Sequence, residues 1–201
     1  ERQSGNNLAV TLNHAQRLLE PWRPPGEPGY LLRLDRHAVR LVTGEHLQVD
    51  VDVFDRHLAD AARAEDDGVP STALTDYLAA LDLYRGDLGA DVPDAPWLVQ
   101  DRERHRSRFV VAATRAGQLL LGRGDPTAAE EVARRVIDVD PQAEPAHALL
   151  VGVALATGDR PAARRRLDRC LALLADLGVA PSEATRRLVN RLRAEPAQPG
   201  A

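Results

Sequence analysis

The sequence predicts an all-α protein built from helical repeats, with a small helix and β-hairpin at its N-terminal end. The first observation is a repeated pattern, since Gly124-Asp125 recurs as Gly158-Asp159, 34 residues later. The second is composition, because only 3% of the residues are aromatic while Ala and Leu dominate. Packed helices suit that composition, whereas strands draw on β-branched and aromatic residues. The third is length: 201 residues with 44% apolar content can bury a sizeable core.

Small residues recur where a helical repeat needs them. Counting from Val110, Gly117 falls at position 8 and Ala129 at position 20, and Ala129 recurs as Ala163. Paired helices approach most closely at these two positions, so a bulky side chain there would force them apart. Pro141 at position 32 stops the second helix, because proline lacks the N–H that a helix interior needs. This period and these residues are typical of the tetratricopeptide repeat, TPR.

The same template also fits nearer the N-terminus. Starting from Phe54, Gly68 falls at the turn between the helices and Ala73 at position 20. An insertion at residues 88–109 separates this first repeat from the second. Three repeats reach the number that such an array needs to bury its faces, and residues 182–193 predict a helix that caps the end.

The N-terminal segment predicts one amphipathic helix from Ser4 to Leu19. Ser4 can cap its N-terminus, an apolar stripe follows one side at helical spacing, and Pro21 ends it. The other side carries side chains able to contact base edges or a thymine methyl in a DNA major groove, although most such faces merely contact solvent. These candidate DNA-binding residues are Asn6, Asn7, Val10, Thr11, Asn13, His14 and Arg17.

Two short extended segments, at 30–34 and 38–42, predict a β-hairpin with a basic tip. A helix followed by such a hairpin is the order in which a winged-helix domain presents its recognition helix and its wing. Arg33, Arg36 and His37 would then touch phosphate or the minor groove. These three residues complete the candidate DNA-binding set.

Two groups of motifs around the repeats resemble one known family. The order Arg-Gly, Ala-Pro-Trp and Arg-Glu-Arg, within residues 85–104, resembles the bacterial transcriptional activator domain of SARP/AfsR regulators. Leu-Gly-Val-Ala-Pro-Ser followed by Arg-Arg-Leu, within residues 177–188, is similar to the segment that opens the closing helix of that domain. The resemblance covers about residues 49–193. It implies a TPR-like domain of a transcriptional activator, which is not an enzyme.

A second resemblance concerns the N-terminal segment. Residues 6–12, 17–21 and 29–32 look like the last third of an OmpR-type winged-helix DNA-binding domain. In the SARP/AfsR family such a domain precedes the helical one, binds promoter DNA, usually at direct repeats, and recruits RNA polymerase. Its earlier strands and first two helices are missing here. We therefore expect residues 1–20 to be frayed or packed on the hairpin.

The junction between the two domains is predicted near residue 48. Residues His46–Val53 predict an extended stretch, after which Asp52 and Asp55 can cap the first repeat helix. We expect three parts: the C-terminal part of a winged-helix domain (1–48), the TPR-like activator domain (49–194) and a linker or tail (195–201).

Candidate protein contacts are weaker signals. Two dense arginine clusters fall within residues 164–169 and 186–193; most such runs are solvated helix faces, but they could bind an acidic partner or a DNA backbone. The flanking prolines favour Trp97 as a core anchor beneath the long helix over a partner contact. The candidate protein-interaction residues are Trp97, Arg164, Arg165, Arg186 and Arg187.

No catalytic, metal or cofactor site is predicted. The six histidines lack the spacing and cysteine company of a zinc site, and Cys170 falls at a small-residue repeat position that predicts a buried, inert thiol. Gly122 to Asp125 lacks the Lys-Ser/Thr ending of a phosphate-binding loop, so it predicts a turn. With no methionine, even at position 1, the chain is expected to be a fragment.

Charge and composition bound the remaining function classes. The net charge of −4 provides no global basic field for nucleic acid, although a local basic surface remains open. One cysteine and no apolar run of about 18 residues favour the cytoplasm and no membrane partner. The leading interpretation is an activator fragment with promoter DNA and RNA polymerase as partners and a homodimer as an option. The alternatives are a repeat adaptor that binds a peptide in its concave groove and, least favoured, a helical enzyme.

Overall fold

The computed structural model describes residues 2–34, 38–92 and 94–194, and the chain divides into two compact units, Glu1–Asp52 and Val53–Ala201. The described residues are mostly helical, as predicted, and none of their helices is long and apolar enough to cross a membrane. The elements are α1 (Arg2–Leu19), β1 (Leu32–Leu34), β2 (Val39–Leu41), α2 (Asp50–Asp66), α3 (Pro70–Leu83), a 3-10 turn (Pro96–Leu98), α4 (Val99–Arg123), α5 (Pro126–Val139), α6 (Glu144–Ala156), α7 (Arg160–Asp176) and α8 (Glu183–Ala194).

The first unit holds the predicted helix and the predicted hairpin. Helix α1 begins two residues before the predicted Ser4 and ends at Leu19. Strands β1 and β2 pair antiparallel, with Leu32 opposite Leu41. The predicted basic tip, residues 35–37, lies outside the described residues.

The predicted extended stretch at His46–Val53 is wrong in its second half. Helix α2 begins at Asp50, so residues 50–53 are helical. Asp50 and Asp52 occupy the first turn, where the positive end of the helix dipole favours acidic side chains. The Asp50 carboxylate also accepts a hydrogen bond from the Val51 N–H at 2.8 Å. Of the two predicted capping residues, Asp52 therefore lies in the first turn of α2, whereas Asp55 lies further along the helix.

The repeated Gly-Asp pair ends one helix and starts the next. Gly124 ends α4 with a φ of 83°, a left-handed conformation that costs glycine little. Asp125 then caps α5 by accepting a hydrogen bond from the Ala128 N–H at 3.0 Å. Asp159 caps α7 in the same way, at 2.8 Å from the Ala162 N–H. The turn predicted at 122–125 is thus limited to Gly124 and Asp125, because Gly122 and Arg123 belong to α4.

Helices α4 and α6 are in close contact at Gly117. A Cβ atom built on Gly117 would lie 2.2 Å from the Leu149 Cδ2 atom, so any side chain at this position would force Leu149 to move. The small residues at position 20 are fully buried, as the repeat pattern predicts. They are Ala73, Ala129 and Ala163.

Helix α8 covers the end of the array by packing on α6 and α7. Its N-terminus is fixed by Ser182, whose hydroxyl accepts a hydrogen bond from the Thr185 N–H at 3.3 Å. The Ser182 N–H in turn donates to the Glu144 carboxylate at 2.7 Å. Leu192 of α8 is buried in an apolar cluster that includes Leu167 of α7. Cys170 of α7 is fully buried, and this burial raises the pKa of its thiol, in line with the predicted inert thiol.

Candidate nucleic-acid and protein interfaces

The exposed side of α1 carries the candidate DNA-binding residues whose side chains are described. Val10 is 64% exposed. The polar members of this face, Thr11, Asn13, His14 and Arg17, are also exposed. Asn6 and Asn7 lie on the same helix, but their side chains fall outside the described part of the chain. One helix face therefore presents amide, imidazole, hydroxyl and guanidinium groups to solvent.

The other side of α1 is joined to the hairpin by buried polar groups. Gln16 and Glu20 are 5% and 2% exposed, respectively. The Gln16 side-chain amide donates to the Leu32 carbonyl at 2.6 Å. One Glu20 oxygen accepts from the Leu31 N–H at 2.5 Å and the Leu32 N–H at 3.0 Å. These bonds fix where β1 starts relative to the end of the helix.

Glu20 is held in its ionised form. Burial by itself raises the pKa of Glu20, but hydrogen bonds from the backbone N–H groups of residues 30–32 lower it. Arg23 acts in the same direction, with its Nε atom 3.2 Å from the second Glu20 oxygen. The net result is a pKa below the ordinary value of a glutamate. No local pattern in the sequence indicates this group, because its backbone partners, Leu31 and Leu32, lie about a dozen residues away.

The hairpin places two arginines directly opposite each other. Arg33 of β1 pairs with Arg40 of β2, and both side chains are exposed. A cavity of about 400 Å³ lies beside them, and its lining also includes Gln16, Arg23 and the acidic Glu27. Like charges on opposed strand positions repel, so an anion between them would be stabilising. Only Arg33 was a candidate in sequence analysis, and the strand register supplies Arg40. The candidates Arg36 and His37 lie outside the described residues.

The expectation that Trp97 is a core anchor is wrong, since its side chain is 73% exposed. The inserted segment is held instead by Arg102 of α4. Its guanidinium donates to the carbonyls of Leu88 and Gly89, each at 2.8 Å, and of Val92 at 2.6 Å. A planar guanidinium with several fixed N–H groups suits three carbonyls at once, so the indole is not needed beneath the loop. Trp97 is therefore available for a partner.

The four candidate arginines of the two clusters are all exposed and differ in their partners. The Arg164 Nη2 atom lies 3.4 Å from the Leu192 carbonyl oxygen, so Arg164 contributes to holding α8. Arg187 pairs with Glu183 one turn earlier on α8, and both side chains are exposed. Arginine runs that look alike in sequence thus make different contacts.

Comparisons with known proteins place the helical part of the chain. The sequence model of the bacterial transcriptional activator domain matches residues 49–193. The chain is similar to the solved structure of Mycobacterium tuberculosis EmbR in complex with a low-affinity phosphopeptide, with a TM-score of 0.79 and 19% identity. That match covers 96% of this chain and 51% of the other, so this chain spans about half of that length.

A second solved structure shares the repeat fold. The Arabidopsis OM64 TPR domain matches with a TM-score of 0.53 and 11% identity, covering 73% of this chain and 98% of that domain. A comparison with the curated proteins found no match. At these identities the two structures bear on the fold, and the matched family bears on the class of protein.

Proposed function

We propose that this chain, which belongs to the bacterial transcriptional activator domain family, couples promoter DNA to a protein partner. Family membership makes it part of a transcriptional regulator, and the predicted TPR-like helical fold is confirmed. The steps that follow, DNA binding and activation, are our proposal. The observation that carries it is the exposed polar face of α1, held beside a hairpin with two opposed arginines.

In the proposed mechanism, base reading and backbone contact are divided between two elements. The amide of Asn13, the imidazole of His14 and the guanidinium of Arg17 contact base edges in the major groove. Asn6, Asn7, Val10 and Thr11 complete that surface. Arg33 and Arg40 contact phosphates, which position the protein without reading sequence, and Arg36 and His37 would act beside them.

The helical unit supplies the protein contacts of the regulator. RNA polymerase is the partner that such an activator recruits, and a second copy of the chain would suit direct-repeat sites. Trp97 belongs to this surface in our proposal, because exposed aromatic side chains often dominate binding energy at protein interfaces. Arg164, Arg165, Arg186 and Arg187 remain candidates for contacts with an acidic partner. The proposed location is the cytoplasm.

DNA binding is tested with duplexes that contain short direct repeats, across a salt titration. Both the 201-residue chain and a version extended upstream by a complete winged-helix domain are measured by fluorescence anisotropy. Specific binding that weakens with salt is expected of the extended version. Replacing both Arg33 and Arg40 by Glu should reduce the salt slope by about two, because about one counterion-releasing contact is lost per residue.

The control separates base reading from loss of structure. Asn13→Ala should lower the preference for the direct repeat over unrelated DNA, by an amount on the order of 1–3 kcal/mol. Asn190→Ala, the same change at an exposed position of α8, should have no effect on DNA binding. If the extended version fails to bind DNA even at low salt, the DNA-reading proposal is wrong. The alternative, a repeat adaptor without direct DNA contact, would then take its place.

A further inference from the structure

A groove of about 370 Å³ lies between α4, α6 and α8. Its floor is apolar, with Leu121, Leu149 and Leu188 among its lining. Gly152 is part of its lining, and a Cβ atom there would lie 3.2 Å from the Leu121 Cδ1 atom. A side chain at this position of α6 would therefore press on Leu121.

The charge in this groove has one sign. Arg187 and Arg191, both on α8 and exposed, are the charged residues that line it within the described part of the chain. Helix α4 contributes polar but uncharged groups there, Thr114 and Gln118. The pair of Arg187 with Glu183 is solvent-exposed on both sides, and such pairs contribute little. The groove thus combines apolar walls with a positive edge.

The spacing of the two arginines defines what fits. Residues four apart on a helix lie on the same side, roughly 6 Å apart at their Cβ atoms. A ligand with two carboxylates about one helical turn apart can meet both guanidinium groups. Between Arg187 and Arg191 lies Leu188, so an apolar group of the same ligand can contact the floor.

Nucleic acid fits this groove less well than protein does. A phosphate backbone would satisfy the arginines, but it carries no apolar side chain to cover the leucines. Protein–DNA interfaces are correspondingly more polar than protein–protein interfaces. An acidic polypeptide with leucine-type side chains complements both properties of the surface.

We propose that the groove between α4, α6 and α8 binds an acidic, leucine-bearing segment of a partner protein. Arg187 and Arg191 pair with its carboxylates, and its apolar side chains cover Leu121, Leu149 and Leu188. This inference rests on the proposed function, because it gives the helical unit the surface through which it contacts its partner. It is specific to α8, the helix that closes the array.

The probe is a fluorescein-labelled 12-residue peptide made of three Glu-Glu-Leu-Leu units, titrated with the full chain and followed by anisotropy. We expect saturable binding. Replacing Arg187 and Arg191 together by Glu should weaken it about tenfold or more, since two exposed charge pairs are each worth up to about 1 kcal/mol. Ala184→Trp, which fills the groove from an exposed position of α8, should weaken it without changing any charge.

The matched control is the same double charge reversal at Arg56 and Arg63. These two arginines are also exposed and lie two turns apart on one helix, but that helix is α2 and they do not line the groove. Their reversal should leave peptide affinity within about twofold. Thermal unfolding followed by circular dichroism checks that all variants keep the fold.

Several results would overturn the proposal. Absence of peptide binding would do so, as would equal loss on reversal at Arg56 and Arg63. Equal binding of a Glu-Glu-Ser-Ser peptide would show that the apolar floor has no role. Binding of an Arg-Arg-Leu-Leu peptide, or of an unrelated 12-base-pair duplex that competes at the same groove, would assign a different ligand.

Failure of this inference is distinguishable from failure of the DNA-reading proposal. The groove variants are expected to bind direct-repeat DNA like the unchanged protein. Peptide binding without any DNA binding would leave the groove proposal in place and remove the DNA-reading one. DNA binding without peptide binding would leave the DNA-reading proposal in place and remove the groove proposal.

Discussion

The interactions that stabilise the first unit internally differ from those that stabilise the second. In the described part of the first unit, the buried residues are Leu32, Gly29 and two polar side chains, Gln16 and Glu20. The second unit has an apolar core built around alanines, leucines and Phe109. The first unit is thus ordered mainly by directional hydrogen bonds, and the second mainly by apolar burial.

This difference teaches where each unit tolerates change. Buried apolar contacts are many and individually weak, so losing one leaves the rest in place. A buried carboxylate that accepts several hydrogen bonds depends on its charge and on each partner. We therefore expect the first unit to be sensitive to pH and to single polar substitutions. The second unit should be sensitive to changes in volume.

The largest expected effect is the loss of a core ring from the second unit. Phe109 is 1% exposed and its ring stacks on Tyr84 with centroids 4.2 Å apart. Phe109→Ala should destabilise this unit by about 3–5 kcal/mol, because it removes apolar burial and leaves a cavity. Urea unfolding followed by circular dichroism measures it. Val111→Ala, at a 61% exposed position of the same helix, should stay within about 0.5 kcal/mol, and a similar loss in both would contradict the comparison.

The corresponding change in the first unit adds one methyl group. A Cβ atom on Gly29 would lie 1.9 Å from the Leu32 carbonyl oxygen, which is backbone and cannot move alone. Gly29→Ala should cost about 1–3 kcal/mol and raise amide exchange in residues 10–34, with exchange in the second unit unchanged. Gly44→Ala, where a Cβ meets open space, is the control. Normal exchange in Gly29→Ala would mean that the helix–hairpin junction is looser than its contacts indicate.

The pH dependence of the first unit should follow Glu20. Its pKa is lower in the folded state than in the unfolded chain, so its ionised form stabilises the fold above the ordinary glutamate range. That contribution is lost as the pH falls through the folded pKa. Glu20→Gln should lower amide protection of residues 31–32 about tenfold at neutral pH and remove this pH dependence.

The control for that measurement is Glu45→Gln. Glu45 is an exposed acidic residue of the same unit. Its replacement should leave the pH profile of exchange unchanged. An identical pH profile for the unchanged protein and Glu20→Gln would assign the acid sensitivity to other groups.

The smallest expected effect is a gain. Val69 occupies the position after Gly68 that Asp125 and Asp159 occupy in the later repeats, and it supplies no side-chain cap to α3. Val69→Asp should stabilise the second unit by about 0.5–1 kcal/mol, because its carboxylate can accept a backbone N–H at the start of α3. Asp125→Ala should cost about 1 kcal/mol. Thermal unfolding followed by circular dichroism measures both changes. A loss of stability in Val69→Asp would show that the packing of Val69 exceeds the value of a cap.

The sequence predicts the repeat turns well because their causes are local. Gly124 and Asp125 each act on backbone within a few residues, so their recurrence 34 residues later is visible in the chain. Resemblance to the activator family placed the helical domain at residues 49–193, and the same range matches the family. The predicted start of α2 was wrong for a physical reason. The β-branched residues at 49–53 favour a strand, but the acidic residues between them are stabilised by the positive end of a helix dipole, and this favours a helix.

The candidate sites were less predictable, because their geometry depends on residues far apart in sequence. Trp97 is exposed since Arg102 already satisfies the loop carbonyls, which no local pattern indicates. Arg40 gains significance only through its strand register with Arg33. The groove at Arg187 and Arg191 likewise needs α4 and α6 beside α8.

The buried thiol of Cys170 can report how often the end of the array opens. As the single cysteine of the chain, it can react with a thiol reagent only when its surroundings open. Where opening and closing are faster than the reaction, the labelling rate divided by that of an unfolded control equals the open fraction of the α6–α8 region. A partner that binds only the closed form would slow this rate. The factor equals one plus the ratio of the free partner concentration to its dissociation constant. Partner binding near α8 could thus be followed at a cysteine that the natural sequence already contains.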